Sequence, residues 1–95
     1  MTAISVFGLG YVGCVSAACF AQEGHQVVGV DVSQTKVDLV NAGKPTIMEE
    51  SIAELVAAMR ETGRLRATTN SREAVLSTQV SLVCVGTPSR ANASL

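Results

Sequence analysis

Six residues near the amino terminus, Gly8-Leu9-Gly10-Tyr11-Val12-Gly13, form a GxGxxG run. Glycines supply no acid, base or nucleophile, so the chemistry open to them is to let backbone N–H groups approach something bulky and anionic. Asp31 stands eighteen residues beyond Gly13, in the apolar run Gln-Val-Val-Gly-Val-Asp-Val, and its carboxylate can accept from hydroxyl groups. A bare GxGxxG is as readily a glycine turn that binds nothing; a strand before it and a helix after it are what make it a phosphate cradle.

That setting is present. Residues 3–7 include Ile4, Val6 and Phe7 and end at glycine, which suits a buried parallel strand. Residues 11–23 are dominated by small and apolar side chains, among them Val12, Val15, Ala18, Cys19 and Ala21, and Gly24 stops them as a helix. A β-branched run over 26–32 makes a second strand, after which Ser33 caps a helix over 34–41, with Val37 and Val40 inward and Gly43 and Pro45 closing it. Ile52, Leu55, Val56 and Met59 recur at helical spacing over 51–62, where Ser51 and Glu54 have the form of a capping box and Gly63 ends the helix. A short third strand over 65–69, a helical turn or two over 71–76 and a buried fourth strand over 79–85 complete the alternation. Strands alternating with helices demand parallel pairing, right-handed crossovers and helices on both faces, with strand order 3-2-1-4. The fold class is α/β, the first half of a Rossmann-like doubly wound sheet.

In this frame Gly8 makes the turn out of the strand, Gly10 leaves room for a pyrophosphate against the backbone, and Gly13 lets the helix pack closely. The phosphates would meet the unpaired N–H groups of the first helical turn, where the helix dipole places about half a positive charge. No Lys or Arg precedes Lys36, so the anion site is built from backbone. Asp31 would take the ribose hydroxyls through hydrogen bonds to a charged group, about 1.5–3 kcal/mol. A 2′-phosphate there would face a like charge with no arginine directly after it, so the pattern selects NAD over NADP. FAD is the competitor, since flavoproteins use the same fingerprint, though they favour Glu at the strand end.

Thr87, in Gly86-Thr87-Pro88 beyond the fourth strand, reaches the same carboxyl edge and could donate to phosphate or ribose; a plain Gly/Pro turn explains it as well. Lys36 lies one turn into the helix after Asp31, placed either to lean over the ribose or to face solvent. His25 reads as an exposed loop residue, and Glu49-Glu50 as acids favoured ahead of a helix N-terminus rather than an acid/base pair. Cys14, Cys19 and Cys84 have neither metal nor disulfide spacing and sit in apolar patterns, as packing thiols in a reducing cytoplasm do.

Composition narrows the field. A chain of 95 residues holds one small domain or part of one. With 7 Lys and Arg against 8 Asp and Glu there is no charge excess to draw nucleic acid or anionic lipid. Aromatic residues at 3% leave no platform for stacking bases. The apolar fraction of 47% is high for so small a domain, so some of that surface expects a partner. The apolar opening stretch imitates a signal peptide but lacks its positive start, and three glycines break it before it could span a membrane. Residues 89–95, rich in Ser, Ala and Asn, read as unstructured.

With these pieces placed, the chain resembles the UDP-glucose/GDP-mannose dehydrogenase family over nearly its whole length. The family's GLGYVG stands here as Gly8-Leu9-Gly10-Tyr11-Val12-Gly13, its GVDV and following lysine as Gly29-Val30-Asp31-Val32 and Lys36, and its CVGTPS as Cys84-Val85-Gly86-Thr87-Pro88-Ser89. The resemblance implies cofactor contacts at Tyr11, Val12, Asp31, Lys36 and Thr87 alongside the glycines. Residues 43–55 and Pro88-Ser89-Arg90 look closer to the GDP-mannose members, while Glu49-Glu50-Ser51-Ile52 departs from the family's Glu-Pro-Gly-Leu.

The resemblance also implies an oxidoreductase that takes a nucleotide-sugar C6 alcohol to the acid in two NAD-dependent steps, GDP-mannose to GDP-mannuronate in the closer members and UDP-glucose in the others. It implies a homo-oligomer in the complete enzyme and a cysteine nucleophile in a later glycine-rich motif. None of Cys14, Cys19 or Cys84 matches that cysteine. Residues 1–95 are therefore expected to form a partial NAD-binding domain, with no catalytic residue and with the fourth strand left as an exposed apolar edge. A regulatory module that binds NAD without chemistry is the alternative from another class.

Overall fold

The computed structural model describes residues 2–46 and 50–84, Glu50 through its backbone alone. Strand β1 (Ala3–Phe7) leads into helix α1 (Tyr11–Gln22), β2 (Gln26–Val30) and α2 (Gln34–Asn41); then follow α3 (Glu50–Thr62), β3 (Leu65–Thr68), α4 (Ser71–Ser77) and β4 (Val80–Val83). All pairings are parallel, and the sheet order is β3-β2-β1-β4, the order read from the sequence. Among the described residues no helix is long and apolar enough to cross a membrane.

Register assigns the two faces. Ile4 pairs with Val27 and Val27 with Leu65, and these three join Val6 and Ala67 in the main core beneath α1, α2 and α3. Cys14, Ala17, Ala18 and Ala21 come from α1, Val37 and Val40 from α2, and Val56 from α3, with Ile52, Leu55 and Met59 packed against them. Small side chains along α1 let that helix lie close to the strands. Phe7, Val28 and Val30 point to the opposite face, where Ala74 of α4 meets them. The one buried polar side chain among the described residues, Ser5, also lies on this face and is satisfied by Ser81 Oγ at 2.7 Å and Thr78 Oγ1 at 3.0 Å.

Two expectations need correcting. The fourth strand is not buried: Val80, Leu82 and Val83 are all exposed, since the order puts β4 at an edge where only β1 pairs with it. The second strand ends at Val30 rather than reaching Val32, which is 98% exposed. Asp31 ends it by turning its carboxylate back onto two backbone N–H groups, those of Leu9 and Ser33.

The other edge strand is covered by a device that periodicity does not reveal. Asn41, at the end of α2, donates through Nδ2 to the Ala67 carbonyl at 2.9 Å, and its Oδ1 accepts from the Ala67 N–H at 2.9 Å. One amide side chain thus pairs the outward N–H and C=O of Ala67 as a neighbouring strand would. Arg60 Nε donates to the Asn41 carbonyl at 3.0 Å and ties α3 to the same point. Asn41→Leu is expected to lower stability by about 1–3 kcal/mol, because it strips two part-buried backbone groups of partners. Urea unfolding checks this, and a midpoint equal to wild type would show that the edge needs no such cover.

Candidate dinucleotide site

The turn after β1 begins with Gly8 at φ +98°, a conformation that side chains rarely tolerate. It is held by its own N–H, which donates to the Val30 carbonyl at 2.7 Å. The next residue is not a spacer. Leu9 is fully buried, and its side chain fills the space above Gly29, where a Cβ would stand 2.7 Å from Leu9 Cδ2. Glycine is needed at 29 so that leucine can anchor the loop from below.

Gly10 and Gly13 are glycines for opposite reasons. A Cβ on Gly13 would run into the Gly8 carbonyl, so any larger residue must push α1 off the turn. A Cβ on Gly10 would meet nothing within 4 Å, and Gly10 lies in the extended region at φ −77°. The fold itself therefore tolerates a side chain at 10; what it would fill is the open approach to the first turn of α1. No side chain caps that turn: Gly10 makes no cap bond, and the first helical bond runs from Cys14 N to the Gly10 carbonyl. Tyr11 and Val12, 58% and 60% exposed, flank the opening.

Asp31 stands one strand over. Its Oδ2 accepts from Leu9 N–H at 2.7 Å and its Oδ1 from Ser33 N–H at 2.8 Å. Partial burial raises the carboxyl, but those two N–H groups, the Lys36 cation and the Val32 N–H outweigh it, and the pKa settles below its ordinary value of 3.8. Each oxygen keeps lone pairs for further donors. Ser33 caps α2 as expected, accepting from Lys36 N at 3.3 Å.

A crevice of about 180 Å³ opens at this edge, lined by Phe7, Gly8, Val30, Asp31, Val32, Thr69 and Ser71. Small-molecule pockets run to roughly 300–1,000 Å³, so the crevice suits one moiety of a larger ligand. Thr69 and Ser71 were not singled out from the sequence; the signal was their place after β3, which a parallel sheet brings to the same edge as Asp31. A larger hollow, about 430 Å³, runs along the outside of α4 by Asn70, Arg72, Glu73, Leu76 and Ser77. It is open to solvent. The exposed Arg66–Glu73 pair beside it contributes little.

Of the residues singled out from sequence, Gly8, Gly10, Tyr11, Val12, Gly13, Asp31 and Lys36 gather at this edge, while Thr87 and Glu49 lie outside the described residues. His25 is not a free loop residue: its Nδ1 accepts from Thr2 N–H at 3.1 Å, because the start of β1 and the turn before β2 lie side by side. Cys14 packs in the core as expected and Cys84 is half-buried, but Cys19 is exposed on α1.

A parallel sheet whose first strand turns through glycines into an uncapped helix, with an acid closing the next strand, defines the dinucleotide-binding class of α/β domain. The chain belongs to the UDP-glucose/GDP-mannose dehydrogenase family, whose NAD-binding domain matches residues 2–95. It is 56% identical over 92 residues to the GDP-mannose 6-dehydrogenase of Azotobacter vinelandii, covering 97% of this chain and 21% of that protein. To the UDP-glucose 6-dehydrogenase of Rhizobium meliloti it is 42% identical over 87 residues, 92% of this chain and 20% of that one. The crystal structure of a ternary complex of GDP-mannose dehydrogenase from Pseudomonas aeruginosa superposes with a TM-score of 0.89 at 55% identity, over 92% of this chain and 20% of that one. The chain thus spans about one fifth of the length of these relatives.

The two glycines separate by experiment. Gly13→Ala should lower stability by about 2 kcal/mol or more, in the range of overpacking changes, whereas Gly10→Val should leave the thermal midpoint near wild type. Thermal unfolding followed by circular dichroism decides it, and equal losses would refute the distinction. Asp31 adds a pH signature: with its pKa depressed in the folded state, its contribution is complete above 3.8 and is lost as pH falls through the lower folded value. Wild type should lose more stability on acidification than Asp31→Asn; parallel acid-unfolding curves would mean that the two N–H groups do not favour the anion.

Proposed function

We propose that the chain is the cofactor-holding part of an NAD-dependent nucleotide-sugar 6-dehydrogenase acting on GDP-mannose. The observation that carries the reading is the pairing of an unobstructed Gly10 with an uncapped first turn of α1, beside an ionised Asp31. Backbone N–H groups there accept a pyrophosphate without any cation. The cofactor contacts are Gly8, Gly10, Tyr11, Val12, Gly13, Asp31, Lys36 and Thr87, with the adenosine end in the crevice by Val32, Thr69 and Ser71.

NAD, when bound, accepts hydride from the sugar alcohol. This chain's residues bind and orient. Asp31 holds the ribose hydroxyls and disfavours a 2′-phosphate; the Leu9 and Ser33 N–H groups, with a smaller contribution from Lys36, favour its charged form. The glycine turn brings the phosphates to the helix. Residues 1–95 form part of the NAD-binding domain in this reading; the substrate pocket and catalytic cysteine belong to the remainder of the protein, a homo-oligomer of the cytoplasm. GDP-mannose is preferred over UDP-glucose because identity to the GDP-mannose relative is 56% against 42% to the UDP-glucose one.

Calorimetric titration with NAD and NADP tests the cofactor assignment. Asp31→Ala should weaken NAD by about tenfold to a hundredfold, as loss of hydrogen bonds to a charged group predicts, while NADP changes little. Equal loss for both would remove the ribose assignment. Reduction of NAD by the complete protein with GDP-mannose and with UDP-glucose then tests the substrate, and faster turnover of UDP-glucose would overturn that choice.

A further inference from the structure

Leu9 is held by more than its side chain. Its N–H donates to Asp31 Oδ2 at 2.7 Å, and its carbonyl accepts from Thr46 Oγ1 at 2.7 Å, a residue 37 positions further on. Thr46 reaches the loop because α2 ends in a tight reversal. Gly43, at φ +78°, donates to the Val40 carbonyl at 2.9 Å, and Lys44 N–H donates to the Leu39 carbonyl at 2.8 Å, the paired bonds of a Schellman turn. Pro45 then keeps the chain extended away from the helix.

A trans peptide is planar, with its C=O and N–H pointing opposite ways, and the described residues contain no cis bond. Fixing the Leu9 carbonyl therefore fixes the Gly10 N–H, which points away from Thr46 and has no acceptor among the described residues. We infer that Thr46 is a positioning residue for the dinucleotide: its hydroxyl locks the Leu9–Gly10 peptide so that the loop's free N–H groups are aimed at the pyrophosphate before it arrives. This rests on the proposed NAD site and assigns a role in it to a residue outside the glycine motif. Preorganisation of this kind acts on the phosphate half of the ligand and leaves the adenosine half alone.

The test compares ADP and adenosine as competitors of NAD on wild type, Thr46→Val and Thr46→Ser. Thr46→Val keeps the shape and removes the hydroxyl. It should weaken ADP about tenfold, the scale of one hydrogen bond, and leave adenosine within about twofold, while Thr46→Ser restores ADP binding. A purely structural Thr46 would lower the thermal midpoint without separating the two ligands. Equal weakening of both, no weakening of ADP, or a serine variant as poor as the valine variant overturns the inference. If wild type does not hold ADP or NAD at all, or Gly10→Val binds them as well as wild type does, the NAD reading itself falls, and this inference with it.

Discussion

Two adjacent peptide planes carry the site. In the Gly8–Leu9 peptide the carbonyl lies against Gly13, in the space a Cβ would need, while the N–H at the other end is taken by Asp31. In the Leu9–Gly10 peptide the carbonyl is taken by Thr46. The loop cannot rotate either plane without breaking a short hydrogen bond or lifting α1 from the turn. Burial of the Leu9 side chain over Gly29 removes the remaining freedom. A strand, a helix N-terminus and the end of a neighbouring strand are thereby locked into one unit, and the unused N–H groups of that unit are what an anion can meet.

Asp31 faces both ways in that unit. The carboxylate binds the protein's own Leu9 and Ser33 N–H groups, which orient it and keep it ionised. It is half-buried rather than enclosed, so its outer lone pairs face the crevice. An acid held on one side and open on the other can meet hydroxyl donors without needing to be reorganised by them. Its neighbour Lys36 favours the same ionised form from the first turn of α2, and Ser33 fixes the start of that turn.

Much of this was legible in the residues. Period and punctuation located all eight elements within a few positions, since Gly24, Gly43 and Gly63 each sit at positive φ just past a helix. Parallel alternation determined the strand order, and GxGxxG with Asp31 pointed to the sheet edge where the crevice opens. What could not be read were bonds between side chains and distant backbone: Asn41 with Ala67 across 26 positions, Thr46 with Leu9 across 37, and His25 with Thr2 across 23. Such bonds leave no period in the sequence, because one polar residue in a loop or at a helix end looks like any other until the fold brings its partner near. For β4 the apolar run by itself reads as buried, whereas the expected edge position agrees with the exposure found. Burial depends on which strand lies beside it.

The uneven burial of the sheet bears on where function can be held. Among the described residues three helices cover one face and α4 the other, and β4 is paired on one side. The glycine turn leaves β1, which is paired on both sides, and Asp31 ends β2, which is also paired on both sides. Strands flanked by neighbours open far less readily than edges, so the groups that must be aimed within a fraction of an ångström are carried by the least mobile part of the sheet. The crevice lies at the carboxyl ends of β1 and β2 and is closed on its third side by Thr69 and Ser71 beyond β3.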